Sequence, residues 1–270
     1  MEWSKIKNII LLILLGLNLF LLVIVASQEL QAHQFRREAR AEAVELLERN
    51  GIAVDPDRLP PDTSLPVQVL EEEESGTDAL ARALLGEDAV RQSGGVRQVY
   101  TSPLGEMEAF STGRFAADLT AGAQLLGESK PEQHASALLQ RAGIQADFVE
   151  SGSAEGMLRL TYCQRWGDTP VFNAQISLTY AGGALRHMEG VLLPGESGAG
   201  REEETVTVAT LLVRFLSQRN ESGRMFSEIQ SMVPGYHLSA TRPFTLTPAW
   251  YITTDTGTYL LSALDGSLLS

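Results

Sequence analysis

An uninterrupted apolar stretch near the start of the chain constrains the fold more than any other feature. It runs from Ile9 to Ala26 and contains neither a charged residue nor a proline. As an α-helix rising about 1.5 Å per residue it would be roughly 27 Å long, close to the hydrocarbon thickness of a bilayer. The sequence therefore predicts a transmembrane helix over residues 9–27.

This stretch is either a permanent anchor or a cleaved secretory signal. Signal peptides have a shorter apolar core of about 7 to 15 residues, followed by a small-x-small cleavage site. Here Val25-Ala26-Ser27 offers only a weak site, so we favour the anchor. Lys5 and Lys7 precede the stretch and no basic residue follows it before Arg36. This bias predicts a cytoplasmic tail over residues 1–8 and an extracytoplasmic domain after the helix, in a single-pass protein of the cell membrane.

The charge and cysteine content of the chain exclude several classes of function. Its 21 basic and 34 acidic residues give a net charge of -13, which would repel a phosphate backbone, so no nucleic-acid partner is expected. The single cysteine, Cys163, excludes an internal disulfide. No histidine or cysteine has metal-ligand spacing. We therefore expect neither a metal nor a cofactor. The scattered histidines are His33, His134, His187 and His237.

The opening residues carry a more specific signal. Met1–Asn8, MEWSKIKN, and Asn18–Leu22, NLFLL, closely resemble the start of the YycI family, whose members typically open with Met, an acidic residue and Trp-Ser-Lys-Ile-Lys. The resemblance implies an accessory regulator of a WalK-type sensor histidine kinase of Gram-positive bacteria. It also implies a YycH-like partner and regulation chiefly through transmembrane helix contacts, with the outer domains associating.

Contacts with the membrane and with partner helices are predicted within this N-terminal segment. Trp3, Lys5 and Lys7 suit the membrane interface. Asn18 places a polar group where water is absent, and a helix partner would satisfy its amide. The alternative left open is that Asn18 bonds its own backbone carbonyls. The predicted partner-contact residues are Leu11, Leu15, Gly16, Asn18 and Leu22.

The region after the apolar stretch predicts a juxtamembrane helix and a first subdomain. Helix formers dominate residues 28–50, and Gly51 suits a C-terminal cap. Such a helix is a spacer by default, although it could transmit movement. Residues 51–128 predict an α/β subdomain. Within it we expect a strand near Val67–Leu70, a helix near Asp78–Leu85, and two strands over 95–118. Glu71–Glu74 is interpreted as a solvated face, with a cation site as the minor alternative.

Residues 129–270 predict a second subdomain. Ser129-x-x-Glu132 with Pro131 signals a helix that ends near Gly143. Alternating apolar residues then predict a three-stranded antiparallel meander, covered by a helix and followed by a final hairpin. The expected bounds are 158–166, 172–180 and 185–193 for the meander, 203–218 for the helix, and 249–254 and 258–263 for the hairpin. The predicted fold class is α+β, with two α/β units whose antiparallel sheets are covered by helices.

This order of elements resembles the PepSY-like arrangement of YycI and YycH relatives. The C-terminal pattern PAWxIxTDxGxY, from Pro248 to Tyr259, and Asp265-Gly266 match the same group. The resemblance implies that residues 129–270 form a PepSY-like subdomain.

Three short motifs look functional but have simpler explanations. Asp255-Thr256-Gly257 is the aspartic-protease triplet, yet the nearest second carboxylate, in Asp265-Gly266-Ser267, follows too soon for an equivalent loop. Hairpin chemistry explains the triplet fully. Gly195-Glu196-Ser197-Gly198-Ala199 lacks the last glycine of a nucleophile elbow. Asn220-Glu221-Ser222 fits a glycosylation sequon, which often arises by chance. We therefore predict no catalytic residue and no enzymatic activity.

Two hypotheses follow from the sequence, and a third, a hydrolase, would need a carboxylate or serine whose replacement abolishes turnover. The first is a membrane-anchored accessory regulator of a WalK-type kinase, with the lipid bilayer, the kinase and a YycH-like protein as partners. The second is an extracytoplasmic PepSY-like module that binds a ligand or a protease and is merely tethered by its helix.

Overall fold

The computed structural model describes residues 3–71, 75–195 and 198–269. The helices are α1 (Trp3–Arg49), α2 (Ser75–Leu85), α3 (Pro131–Arg141) and α4 (Val208–Ser222), with a 3-10 helix at Pro56–Arg58. The strands are β1 (Ala53–Val54), β2 (Val67–Leu70), β3 (Val90–Gly94), β4 (Arg97–Ser102), β5 (Gly105–Phe110), β6 (Arg114–Leu119), β7 (Ala146–Ala154), β8 (Met157–Trp166), β9 (Thr169–Ala181), β10 (Ala184–Val191), β11 (Gly198–Arg201), β12 (Glu228–Leu238), β13 (Thr245–Thr254), β14 (Thr258–Ser262) and β15 (Leu268–Leu269). These ranges form a mixed α/β structure.

The described strands are connected into one 15-stranded sheet with two parts, called here the large sheet and the small sheet, which are joined through β9 and β12. The large sheet is antiparallel throughout, in the order β3-β4-β5-β6-β10-β9-β8-β7. In the small sheet β12 pairs with β13, and β13 also pairs with β14 and β2. β1 adds to β12 in parallel, while β11 adds to β2 and β15 to β14. The pairing of Tyr236 with Val171 joins the two sheets.

One core lies between the large sheet and the helices α2 and α3. Leu84 from α2 and Leu138 from α3 are fully buried there with Ile176 and Leu178 from β9. The sequence pattern explains this packing, because alternate residues of β9 point to the same face. The predicted meander is confirmed as β8, β9 and β10.

A second core joins the C-terminal end of α1 to α4 and the small sheet. It contains Ala43, Val44 and Leu47 from α1, the apolar face of α4, and Trp250 from the small sheet. The first core likewise combines residues from before and after residue 128. Both cores therefore contain residues from either side of the boundary predicted at residues 128/129, and the division into two subdomains stays a prediction.

The predicted helix start at Pro131, the capping glycine Gly51 and the final hairpin agree with the structure. The cover helix begins at Val208 instead of residue 203. Its first turn is fixed by Thr207, whose hydroxyl accepts from Thr210 N at 3.2 Å, and by Asp62, whose carboxylate accepts from Val208 N at 2.8 Å.

The sequence underestimates the number of strands. Three strands, β4 to β6, occupy the region where it predicts two, and it predicts none of β3, β7 and β12. Among the described strands, β7 pairs only with β8 and is exposed along nearly its whole length, so its sequence shows no apolar alternation. In the described ranges, no helix was found that is long and apolar enough to cross a membrane.

The packing of α1 on α4 predicts a large effect of one substitution. Leu47 is fully buried, whereas the adjacent Leu46 is 37% exposed. Leu47→Ala is expected to lower the free energy of unfolding by about 2 to 5 kcal/mol, because it leaves a cavity between the helices. The measurement is urea unfolding of the full chain in detergent. Leu46→Ala is the control and should cost much less; equal losses would contradict this packing.

Candidate functional site

The exposed part of α1 is the strongest candidate for a functional surface. From Ile10 to Val25 every side chain except the half-exposed Ile24 is exposed. Leu12 is 71% exposed and Leu15 is 66% exposed. Soluble proteins rarely expose contiguous apolar patches of more than a few hundred Å² unless the patch contacts a partner or a membrane. These side chains therefore favour an apolar environment, which the described part of the chain does not provide.

The structure places the predicted partner-contact residues on this segment without singling them out. Leu11, Leu15 and Leu22 are exposed to the same degree as their apolar neighbours on the other sides of the helix. A methyl group added at Gly16 would meet no atom within 4 Å, so that position is open to an approaching helix. The residues form a surface, and which side of it meets a partner stays a prediction.

Asn18 bonds its own helix. Its Nδ2 donates to Leu14 O at 2.9 Å, which is the alternative left open by the sequence. One amide hydrogen is satisfied in this way, and the carbonyl oxygen of the side chain keeps its capacity to accept a hydrogen bond. A partner helix could use that acceptor while the internal bond persists.

The interfacial residues are only partly described. Lys7 is exposed at the start of the apolar segment. The side chains of Trp3 and Lys5 lie outside the described residues, so their predicted role at a membrane interface stays a prediction.

The other end of α1 is built into the rest of the folded chain. Arg40 Nη2 donates to Pro60 O at 2.5 Å, and Ile52 N donates to Leu47 O at 3.0 Å just after the helix ends. Gly51 adopts φ +75°, a left-handed conformation that ends the helix and turns the chain into β1. This end of α1 is thus held by core packing as well as by hydrogen bonds.

Asp255 of the protease-like triplet holds the chain at Ser227 and Glu228 through hydrogen bonds, and we call this arrangement the Asp255 clamp. The carboxylate of Asp255 accepts from the Ser227 hydroxyl at 2.6 Å, from Ser227 N at 3.0 Å and from Glu228 N at 3.3 Å. The bond from the Ser227 hydroxyl is the main reason that the pKa of Asp255 is lowered. Asp265 accepts from Ser267 instead, and its pKa is lowered mainly by that hydroxyl. Each carboxylate thus has its own hydrogen-bond donors.

The cysteine and two of the histidines contact neighbouring side chains or backbone atoms of the fold. Burial raises the pKa of the Cys163 thiol to about 11, and its Sγ lies 3.3 Å from Val171 O. His134 Nδ1 lies 3.1 Å from Tyr180 Oη, and His187 Nδ1 lies 2.7 Å from an Asp118 oxygen. Across residues 3–71, 75–195 and 198–269, no three His, Cys, Asp or Glu side chains are grouped as metal ligands.

Two sequence motifs fall partly outside the described residues. Glu72, Glu73 and Glu74 of the acidic run do so, and so do Glu196 and Ser197 of the elbow-like motif. The sequon at Asn220 occupies the last turn of α4, where its serine donates to Gln218 O at 2.6 Å.

A cleft of about 650 Å³ is a second candidate site. It opens between the start of α2, the end of α3 and the end of β8, and Arg165 and Trp166 line it. The buried Gln164 supports one wall, because its Oε1 accepts from Leu193 N at 3.2 Å and its Nε2 donates to Ala174 O at 3.1 Å. No sequence pattern indicates this cleft, because it combines residues that are far apart in the chain.

No family model matches the chain, and no curated protein matches it either. Twelve chains of solved structures do. One is an uncharacterized protein from Eubacterium rectale ATCC 33656, with 10% identity and a TM-score of 0.46, covering 78% of this chain and 86% of that one. Another is the Bacillus megaterium YpeB C-terminal domain, with 11% identity and a TM-score of 0.40, covering 74% of this chain and 97% of that one. These are weak structural neighbours that assign neither a family nor a function, so membership of the YycI family stays a prediction.

The Asp255 clamp predicts a pH-dependent contribution to stability. A carboxyl whose pKa is lowered in the folded state stabilises the fold above its ordinary pKa of about 3.9, and this contribution is lost as the pH falls through the folded-state pKa. Asp255→Asn should therefore lower the melting temperature at pH 7, with a difference from wild type that shrinks in acid. The exposed Asp88→Asn is the control and should change little. A pH-independent difference at Asp255 would contradict the role of its charge.

Proposed function

We propose that this chain is a membrane-anchored accessory regulator of a WalK-type sensor histidine kinase. In this proposal the apolar part of α1 lies in the membrane with its N-terminus in the cytoplasm, and it contacts transmembrane helices of the kinase together with a YycH-like partner. The resemblance of Met1–Asn8 and Asn18–Leu22 to the start of the YycI family supports this choice of partners.

The exposure of the apolar side chains from Ile10 to Val25 is the observation that carries the proposal. Removing apolar surface from water is worth roughly 25 cal/mol per Å². The surface of a helix segment of this length therefore favours a lipid or protein environment strongly. A bilayer with helix partners supplies both.

The continuity of α1 supports a regulatory role beyond anchoring. One helix runs from Trp3 to Arg49, and its last turns are buried against α4 through Val44 and Leu47. A displacement of the outer domain would therefore move the membrane segment as well. If that segment packs better against one of two kinase arrangements, a difference of about 1.4 kcal/mol shifts the equilibrium tenfold.

Orientation can be tested by thiol labelling in intact cells. Ser153→Cys lies on the exposed strand β7 and should react with a membrane-impermeant maleimide, because the outer domain is proposed to face outside. Lys7→Cys should react only after permeabilisation. The buried Cys163, with its raised pKa, supplies a low background. Labelling of Lys7→Cys alone in intact cells would overturn the proposed orientation.

The contact mechanism is tested by changing the segment while keeping it apolar. Replacing residues 9–26 with polyleucine should retain membrane insertion but abolish co-purification with the kinase and return kinase output to that of cells lacking the protein. Asn18→Leu should weaken association by the value of one membrane hydrogen bond, about 0.6 to 2 kcal/mol.

Ser27→Ala is the matched control for Asn18→Leu. Ser27 also bonds its own backbone, with its hydroxyl donating to Ile24 O at 2.8 Å, but it lies at the end of the segment. Ser27→Ala should therefore leave kinase output unchanged.

Full association of the polyleucine variant with the kinase would contradict a mechanism based on transmembrane contacts.

The cleft beside Trp166 favours a second candidate function, a PepSY-like module that binds a ligand or a protease. The volume of this cleft, about 650 Å³, lies in the range of small-molecule sites. In this alternative the helix only tethers the domain. A chain that begins at residue 28 and is secreted would then keep full activity, whereas the leading proposal expects it to be inactive.

A further inference from the structure

A groove at the C-terminal end of α4 has the composition of a protein-binding site. Its volume is about 280 Å³. Its apolar side is formed by Phe215, Phe226, Tyr259 and Leu268. The rings of Phe215 and Phe226 are stacked with centroids 4.8 Å apart, and Tyr259 meets Phe215 edge-on at 5.2 Å. Phe215 and Phe226 are buried in the second core and form the floor of the groove. The partly exposed Tyr259 and the exposed Leu268 form its accessible apolar surface.

Two arginines flank these rings. The Arg219 guanidinium carbon lies 5.2 Å from the Phe226 ring centroid, and that of Arg224 lies 5.3 Å from the Tyr259 centroid. Within the described parts of the chain, neither arginine forms a salt bridge with a carboxylate. Glu221 also lines the groove, which leaves a local excess of positive charge on a protein whose net charge is -13.

Met225 lies between Arg224 and Phe226 in sequence and is 77% exposed. Methionine, aromatic residues and arginine are enriched in protein interfaces, and aromatic residues and arginine dominate the energetic hot spots. A volume below about 300 Å³ is small for a drug-sized ligand. It suits the insertion of a side chain from a protein partner.

We propose that this groove docks an extended segment of a partner protein in which an apolar side chain lies next to carboxylates. The apolar side chain would lie against Tyr259 and Leu268, over the buried rings of Phe215 and Phe226. The carboxylates would pair with Arg224 and with Arg219, whose guanidinium also donates to Phe226 O and Asn50 O. The positive charges of Arg219 and Arg224 beside the groove favour an acidic partner over a basic one. This docking site does not depend on the proposed kinase contacts, because it lies wholly on the outer domain.

The experiment uses the full chain in nanodiscs of zwitterionic lipid, with methyl groups of Met and Leu labelled for NMR. The probe is an acetylated, amidated tetrapeptide of sequence DFLD, and the comparison peptides are NFLN and KFLK. DFLD should shift the Met225 and Leu268 methyl signals saturably and bind at least fivefold more tightly than KFLK. Equal binding of the three peptides, or no saturable shift with DFLD, would overturn the proposal.

A substitution tests whether Arg224 gives the groove its preference for an acidic peptide. Arg224→Gln should weaken DFLD binding about twofold to fivefold, the range expected for an exposed ion pair, and should leave KFLK binding no weaker. Arg114→Gln, at an exposed arginine on β6, is the matched control and should not change DFLD binding. An equal loss in both variants would show a general charge effect and would likewise overturn docking at this groove.

Discussion

The packing of the last turns of α1 against α4 holds together the two ends of the chain. Ala43, Val44 and Leu47 are buried there, and hydrogen bonds on either side keep the contact in register. Arg40 binds Pro60 O, while Asp62 accepts from the first amide of α4. Because this contact belongs to a hydrophobic core, the C-terminal end of α1 is part of the folded domain.

One helix therefore presents apolar residues to two environments. Leu47 is removed from water by the protein itself, whereas Leu12 and Leu15 are left exposed. The hydrophobic effect acts on both groups alike. The difference lies in where the fold supplies a covering surface, and for the first half of α1 the cover has to come from outside the chain. This asymmetry is the physical basis of the proposed membrane and helix contacts.

Local patterns predicted the elements whose signals are local. Alternation revealed β9, and glycines such as Gly51 revealed the ends of helices. Long-range features had no such signal. β12 contains Pro234 and Gly235, which argue against a strand, but a side chain at Gly235 would lie 2.5 Å from the Phe172 ring, so close sheet packing requires glycine there. The aromatic groove is equally invisible in sequence, because Phe215, Phe226 and Tyr259 meet only through tertiary structure.

Arg219 connects two of these long-range features. Its Nη2 donates to Phe226 O at 3.0 Å inside the groove, and its Nη1 reaches Asn50 O at 3.4 Å, one residue beyond the end of α1. An occupant that drew this guanidinium towards a carboxylate would weaken the contact with Asn50. Such a contact couples the groove to the helix only if α1 has two positions whose free energies differ between the free and occupied groove. Because α1 is one continuous helix from Trp3 to Arg49, it would carry such a shift along its whole length.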